Sequence, residues 1–390
     1  MEEKDYANEF TEKSYEAFGR TAVLNIGVVG TGGFAAFAVK AFLQISGVKI
    51  IAVFDINKEL AAQMAKDNQA TVYADLETFL ENENIDVVYI ATPPFLHYQQ
   101  SRMALLAGKH VICEKPAALK TSDAEDLCSL AVSSNLLYVV NLMQRYNPLY
   151  NVVNKIVKGK LLGNFLHGFF ENYASDENLD ADHWFWDETK SGGIFIEHGV
   201  HFFDMFSGWL GEGKVVNALH LKRPIANGKI IDRVQSTVLY KDGLVNFYHG
   251  FDQPEILDRQ EMRLQFERGE VTLYGWVPVK MKLHGLVQDE QLKFLKELVV
   301  DFSIIEHSNT GTTNQKVGGR SVEIKFDKEI TLECGNVANK QNRYGQLLIS
   351  MLTDQWNWIR DRNHKRVIND SNAVESLKMA EQAAKIAQEF

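Results

Sequence analysis

The sequence predicts a two-domain protein: an α/β domain with a parallel sheet in front, and an α+β domain with an open, mainly antiparallel sheet behind. Three observations predict it. Strand-like and helix-like segments alternate from Val23 to about residue 140, the rhythm of βαβ units around a parallel sheet. Beyond about residue 150 strand-like segments follow one another with turn signals between them, as antiparallel neighbours do. The chain has 390 residues, 45% of them apolar, which exceeds one comfortable core and suits two domains.

The elements follow in order. Residues 1–20 are polar with scattered aromatics (Tyr6, Phe10, Tyr15, Phe18) and read as an arm or short helix lying on the body or on a neighbouring subunit. The front domain spans 21–145. Val23–Val29 reads as a strand and Phe34–Ile45 as a helix. Val48–Phe54 is almost wholly apolar, as a strand covered on both faces must be. Helix Lys58–Asn68, strand Asp86–Ala91, helix Leu96–Ala107, strand His110–Cys113, helix Ser122–Asn135 and strand Leu137–Val140 complete it. The rear domain, 146–390, opens with strands at Phe165–Tyr173, Lys214–Leu221, Val234–Tyr240, Leu244–Gly250, Met262–Phe266 and Val271–Tyr274. Asp242-Gly243 and Arg268-Gly269-Glu270 punctuate them. Between Gly285 and Gly319 only Gln291–Val300 suggests a helix, and 308–313 reads as an exposed loop. The tail, within 340–390, returns to helical periodicity.

Composition excludes several classes of function. The net charge is −10, and no cluster of cations offers the footprint a nucleic-acid binder needs. The densest basic stretch, Arg360–Arg366, follows an amphipathic run and reads as a solvated helix end, where cations suit the dipole. Cys113, Cys128 and Cys334 are an odd, scattered set that fits a reducing cytoplasm and no zinc pattern. The acidic N-terminus lacks the order of a signal peptide. No stretch approaches the roughly 20 apolar residues that span a bilayer. A cytoplasmic location and a dissolved small-molecule substrate are therefore expected, with no nucleic acid and no membrane as partners.

Gly30-Thr31-Gly32-Gly33-Phe34-Ala35 lies directly between a strand and a helix. Gly30 permits a tight turn, Gly32 lets the backbone approach a pyrophosphate, and Ala35 allows close helix–strand packing. The helix N-terminus then offers unpaired N–H groups to the phosphates. Glycines alone also fit the strand–turn–helix of any α/β protein. Asp55, ending the second strand 20 residues after Ala35, adds weight: a carboxylate there accepts hydrogen bonds from ribose hydroxyls and repels a 2′-phosphate. The front domain is thus expected to be a Rossmann-type dinucleotide-binding domain, with NAD favoured and NADP left open by the nearby Lys58.

Two further segments, Ala91-Thr92-Pro93-Pro94-Phe95-Leu96-His97 and Cys113-Glu114-Lys115-Pro116, follow the next strands. Gln144-Arg145-Tyr146-Asn147-Pro148 comes next, and Ser191-Gly192-Gly193-Ile194-Phe195-Ile196-Glu197-His198-Gly199-Val200-His201-Phe202-Phe203-Asp204 follows later. Together with the glycine loop, these five ordered motifs resemble the glucose–fructose oxidoreductase/inositol dehydrogenase (Gfo/Idh/MocA) family, by motif over roughly 21–210 and by layout beyond. Three departures stand out: Ser191 for a glycine, Glu197 for the usual Asp, and Pro94 where many relatives carry Asn. The second lengthens a carboxylate by one methylene and puts the substrate geometry in question. The resemblance implies that Thr92, Pro93, His97, Glu114 and Lys115 line the dinucleotide, with His97 at the nicotinamide. It further implies pairing into a homodimer or homotetramer through the open sheet.

Hydride transfer from an alcohol requires the carbinol carbon at the nicotinamide, a route for the hydroxyl proton, and a held substrate. Lys115 lies past the carboxyl end of a parallel strand, where ligands bind, and the resemblance places it beside the reacting hydroxyl. Read alone it is also an ordinary surface lysine. His201 is the candidate general base, because imidazole changes charge near neutrality. On an α-helix Glu197 shares its face and can stabilise its protonated form. Arg145 is expected to bind substrate, or only to brace Glu197, with Tyr146 beside it. Trp184, in His183-Trp184-Phe185-Trp186, offers a ring face to a sugar or serves as core. His198 is a further substrate contact. His198, Glu197 and Asp204 match no usual zinc spacing, and no metal is expected.

These residues point to an NAD-dependent oxidoreductase acting on a secondary hydroxyl of a sugar, glycoside or cyclitol. Two alternatives stand beside it. One is glycosidic cleavage through transient oxidation by a recycled NAD, which the resemblance also covers. The other is a non-catalytic dinucleotide sensor, which the presence of Lys115 and His201 disfavours.

Overall fold

The computed structural model describes residues 23–176, 178–225, 228–307, 315–319, 322–336 and 340–389. The arm expected at 1–20 and the loop expected at 308–313 lie outside the described residues. Contacts group the chain into two compact units. The first comprises the chain up to Tyr146, Ala181–Asp204 and Tyr344–Lys385; the second comprises Asn147–Asp180, Met205–Arg343 and the chain from Ile386. Among the described residues no helix is long and apolar enough to cross a membrane.

The first unit is built on a six-stranded sheet. Its strands are β1 (Leu24–Val29), β2 (Val48–Phe54), β3 (Thr71–Val72), β4 (Val87–Ile90), β5 (His110–Cys113) and β6 (Tyr138–Val140). The order is β3-β2-β1-β4-β5-β6 and every pairing is parallel. Helices α1 (Gly33–Phe42), α2 (Lys58–Asn68), α3 (Leu76–Leu80), α4 (Pro94–Leu106) and α5 (Thr121–Ser133) make the connections. Because helices cover both faces, β4 is buried at every residue, and its sequence is a continuous apolar run. Asn57 and Asp75 cap α2 and α3 by accepting hydrogen bonds from first-turn amides. The strand order reverses between β1 and β4. At that switch point the loops after β1, β4 and β5 emerge together at the carboxyl edge, where open α/β sheets bind ligands.

Two C-terminal helices, Lys340–Arg360 and Asp370–Ile386, pack with this first unit, although the sequence places them with the rear domain. Three contacts explain the difference. The Tyr344 ring packs against Phe34 and Phe37. The Tyr146 hydroxyl donates to Asp354. The backbone N–H and hydroxyl of Thr121, at the start of α5, both donate to Glu381.

The second unit carries a ten-stranded sheet. Its first strands are β7 (Phe165–Tyr173), β8 (Lys214–Ile225), β9 (Gly228–Leu239), β10 (Leu244–Gly250), β11 (Arg259–Phe266), β12 (Gly269–Tyr274) and β13 (Lys280–Val287). After them come β14 (Phe302–His307), a separate hairpin of β15 (Gln315–Gly319) and β16 (Val322–Phe326), then β17 (Lys328–Gly335) and β18 (Gln388–Glu389). The order is β14-β17-β13-β12-β11-β7-β10-β9-β8-β18. Among the described residues of this sheet, only β7–β10 and β8–β18 pair in parallel. Alternation sets its faces: Met262, Leu264 and Phe266 on β11, and Ile330, Leu332 and Cys334 on β17, point into the core, while their neighbours point out. Helix Pro148–Lys158 buries Tyr150, Val153 and Ile156, and Tyr150 stacks on Trp209.

Candidate active site

The glycine loop forms as β1 turns into α1. Gly30 has φ +86°, and a Cβ there would stand 2.7 Å from the Ala91 carbonyl oxygen, so both conformation and space demand glycine. At Gly32 and Gly33 a Cβ would meet nothing within 4 Å. The space above the loop is open, and the first turn of α1, flanked by Phe34, has no side-chain cap and no acidic residue. That is an unblocked anion site, which fits a dinucleotide pyrophosphate. Asp55 is drawn to the same loop. One carboxylate oxygen accepts from the Thr31 N–H at 2.6 Å and the Thr31 hydroxyl at 2.9 Å, and the other accepts from the Asn57 N–H.

The loops after β4 and β5 are tied to each other. Thr92 donates through its hydroxyl to Gln100, and Pro93 precedes α4 as its N-cap. His97, expected at the nicotinamide, is 1% exposed. Its Nδ1 lies 2.7 Å from the Pro116 carbonyl oxygen and its Nε2 2.6 Å from that of Thr92. Both ring nitrogens thus face backbone carbonyls, and the ring bridges the two loops. Glu114 likewise turns inward, accepting from the Tyr89 hydroxyl at 2.7 Å and the Asn141 amide at 2.8 Å. Burial pushes its carboxyl up to about 7, against the pull of those donors and of Lys115.

Lys115, Glu197 and His201 come together. The Lys115 ammonium donates to the Glu197 carboxylate and, at 2.7 Å, to the Glu197 backbone carbonyl. Both side chains are mostly buried. His201 is 6% exposed; burial first, then the Lys115 ammonium, pushes its imidazole well below the ordinary range. The expected stabilisation of a charged His201 by Glu197 is therefore corrected: the carboxylate serves Lys115, and the imidazole is held neutral. Local winding contributes. Phe195–Gly199 is a π-helical turn, and the α-helix starts only at Val200, so the α-helical spacing assumed for positions 197 and 201 does not hold. Gly192 and Gly193, at φ +79° and +80°, admit the chain into this turn, and the Ser191 hydroxyl accepts from the Gly193 N–H.

The flanking residues have other partners than expected. Arg145 does not brace Glu197: its guanidinium forks onto Asp204, with both contacts at 2.8 Å, and also donates to the Asp204 carbonyl. Burial raises the Asp204 carboxyl, and Arg145 opposes that rise. Tyr146 turns away to Asp354 at 2.6 Å. Trp184 is half-buried in a short 3-10 turn, its ring 5.2 Å from that of His183. His198, part-exposed, lies 5.1 Å from the Phe202 ring. Glu197 is taken up by Lys115 and Asp204 by Arg145. Among the described residues no group of three potential ligands converges.

Tyr89, Asn141, Tyr344 and Asp354 join these contacts without having been singled out from sequence, and Asp204, read there within its motif and as an unsuited metal ligand, is the partner of Arg145. Tyr344 is the clearest case. It packs 5.8 Å from Phe34 at the glycine loop, and burial, Glu114 and Glu197 raise its phenol well above the ordinary value. Its position more than 300 residues from Phe34 in sequence leaves no local signal.

Comparison with known proteins identifies the family and the fold. Residues 24–142 match the family model described as "Oxidoreductase family, NAD-binding Rossmann fold". Residues 150–272 match that of the "GFO/IDH/MocA C-terminal domain". An uncharacterized oxidoreductase of Synechocystis is 30% identical over 48% of this chain and 51% of its own length. The levoglucosan dehydrogenase of Pseudarthrobacter phenanthrenivorans is 28% identical over 53% of this chain and 57% of its own. The chain thus spans little more than half the length of these curated relatives. Among solved structures, the WlbA dehydrogenase of Bordetella pertussis, in complex with NADH and UDP-GlcNAcA, superposes with a TM-score of 0.73 at 18% identity. That match covers 94% of this chain and 96% of the other, a likeness of fold.

Proposed function

This chain belongs to the Gfo/Idh/MocA family of NAD(P)-dependent oxidoreductases, and from that premise we propose that it reversibly oxidises a secondary hydroxyl of a sugar, glycoside or cyclitol, with NAD as the preferred dinucleotide. The observation that carries this reading is the Lys115 ammonium, fixed twice by Glu197, together with a buried His201 imidazole that burial and the Lys115 charge keep neutral. When bound, the nicotinamide supplies the hydride acceptor. The α1 N-terminus and the Gly30–Phe34 loop hold the pyrophosphate, and Asp55 takes the adenosine ribose hydroxyls. Thr92, Pro93, His97 and Glu114 shape the loops around the nicotinamide.

Lys115 donates a hydrogen bond to the substrate oxygen and stabilises the negative charge that builds there. A neutral imidazole can take the hydroxyl proton on a ring nitrogen, and His201 is kept in that state by burial and by Lys115. Glu197 positions Lys115 through two contacts. Trp184 and His198 supply contacts to the rest of the substrate, while Arg145 and Tyr146 hold the surrounding helices through Asp204 and Asp354. The same reading makes the protein a cytoplasmic homo-oligomer, a dimer or tetramer. A screen of free sugars, inositols and glycosides with NAD or NADP, followed by absorbance of the reduced dinucleotide, tests it. Reduction with at least one of these classes is expected. No reduction with any of them, despite dinucleotide binding, contradicts it; consumption of a glycoside without net reduction points instead to elimination and cleavage.

A further inference from the structure

The setting of His97 goes beyond what the proposed reaction requires. Its two ring nitrogens face the carbonyl oxygens of Thr92 and Pro116, at 2.6 and 2.7 Å. A carbonyl oxygen only accepts. A neutral imidazole has one N–H, so it can bond one of these oxygens and must turn a lone pair on the other; an imidazolium has two N–H groups and bonds both. The two carbonyls belong to different loops. Thr92 follows β4, and Pro116 directly follows Lys115 after β5. The side chain that bridges them is almost wholly buried, so water does not substitute readily for a lost contact.

We propose that His97 is a positioning residue of the dinucleotide site: doubly protonated it clasps the Thr92 loop to the Lys115–Pro116 loop, and neutral it releases one of them. The proposal rests on the dinucleotide reading of these loops. The charged groups facing the ring are Lys115, which disfavours the imidazolium, and Glu197, which favours it. Burial is the largest influence and lowers the imidazole from its ordinary value; the two carbonyls act against it. The clasp therefore closes on the acid side of the usual histidine range. A closed clasp holds Lys115 and Thr92 at the spacing seen here, so dinucleotide affinity rises as pH falls through the His97 titration.

The test uses the full chain labelled with 15N-histidine, with His97→Gln identifying the ring signal. Ring nitrogens are followed between about pH 5 and 8 alongside NAD dissociation constants for both proteins. Two protons on the His97 ring at the acid end, and NAD binding that tightens about fivefold to tenfold there in the wild type but not in the variant, are expected for one regained hydrogen bond. A ring with a single proton across the whole range overturns the proposal, as does the same pH dependence in both proteins. Failure of the wild type to bind NAD at any pH sinks the dinucleotide reading instead, and the ring spectrum, recorded without ligand, still decides the protonation of His97. If His97→Gln fails to fold, His97→Asn identifies the ring signal in its place.

Discussion

Glu197 meets the Lys115 ammonium twice, through its side-chain carboxylate and through its own backbone carbonyl. One residue thus fixes both the charge and the direction of the lysine. The consequences can be tested one at a time.

Lys115→Ala removes the group that stabilises charge on the substrate oxygen but leaves the glycine loop and Asp55 intact. Turnover is expected to fall by roughly 10²–10⁴-fold, with NAD affinity little changed. Steady-state kinetics and a fluorescence titration check the two halves separately.

His201 is pushed down first by burial and then by the Lys115 ammonium. Lys115→Met keeps the burial and deletes the charge, so the His201 titration is expected to move up towards the ordinary histidine value. Imidazole NMR against pH reads this directly. An unmoved titration separates His201 from Lys115 and breaks the proposed pair.

Asp55 accepts three hydrogen bonds from Thr31 and Asn57 and so stands ready-oriented at the end of β2. Asp55→Ser removes the repulsion of a 2′-phosphate, and the ratio of kcat/KM for NADP over NAD is expected to rise at least about tenfold, the equivalent of one lost charged contact. An unchanged ratio contradicts the role given to Asp55.

Arg145 and Asp204 form a forked pair with Asp204 2% exposed. Arg145→Leu strands a buried carboxylate and is expected to cost about 3–5 kcal/mol of stability at neutral pH. Burial already raises the Asp204 carboxyl, and without Arg145 it rises further. Protonation then relieves the cost, so the deficit shrinks as pH falls. Urea unfolding at neutral and mildly acid pH measures it.

His249 is fully buried and held down to about 3 by that burial. The unfolded chain binds a proton near pH 6.5 that the folded one refuses, so stability is full above that value and is lost as pH falls from about 6.5 towards 3. His249→Leu is expected to flatten the stability–pH curve by about 1.4 kcal/mol per unit within that window. Unfolding curves across the window test the slope, whatever the substitution does to absolute stability.

Much of the first unit was legible because buried parallel strands are unbroken apolar runs. Strands Val48–Phe54 and His110–Cys113 lie where sequence placed them. Strand β3 was not legible: it is two exposed residues, Thr71 and Val72, too short for any period. In the second unit β13 and β17 alternate correctly, but Lys280, Lys282 and His284 on one and Lys328, Glu329 and Glu333 on the other mask the apolar face. Their pairing joins segments some 50 residues apart, which no local pattern specifies. At the site, Lys115, Glu197 and His201 stood out as motif residues, whereas the pairing of Glu197 with Lys115 did not. Assuming an α-helix through Glu197 and His201 put the carboxylate on the imidazole, because a π-turn at Phe195–Gly199 has no reliable local signature. Arg145 and Tyr146 were read as ligand contacts, since Asp204 and Asp354 become their partners only once the chain has folded.

The most direct test of the central claim is a crystal structure of this protein with NAD bound. The account predicts the pyrophosphate over Gly32 and Gly33 and the nicotinamide beside the Lys115 ammonium and the His201 imidazole. A nicotinamide bound away from both groups, or a glycine loop that makes no contact with the pyrophosphate, contradicts it.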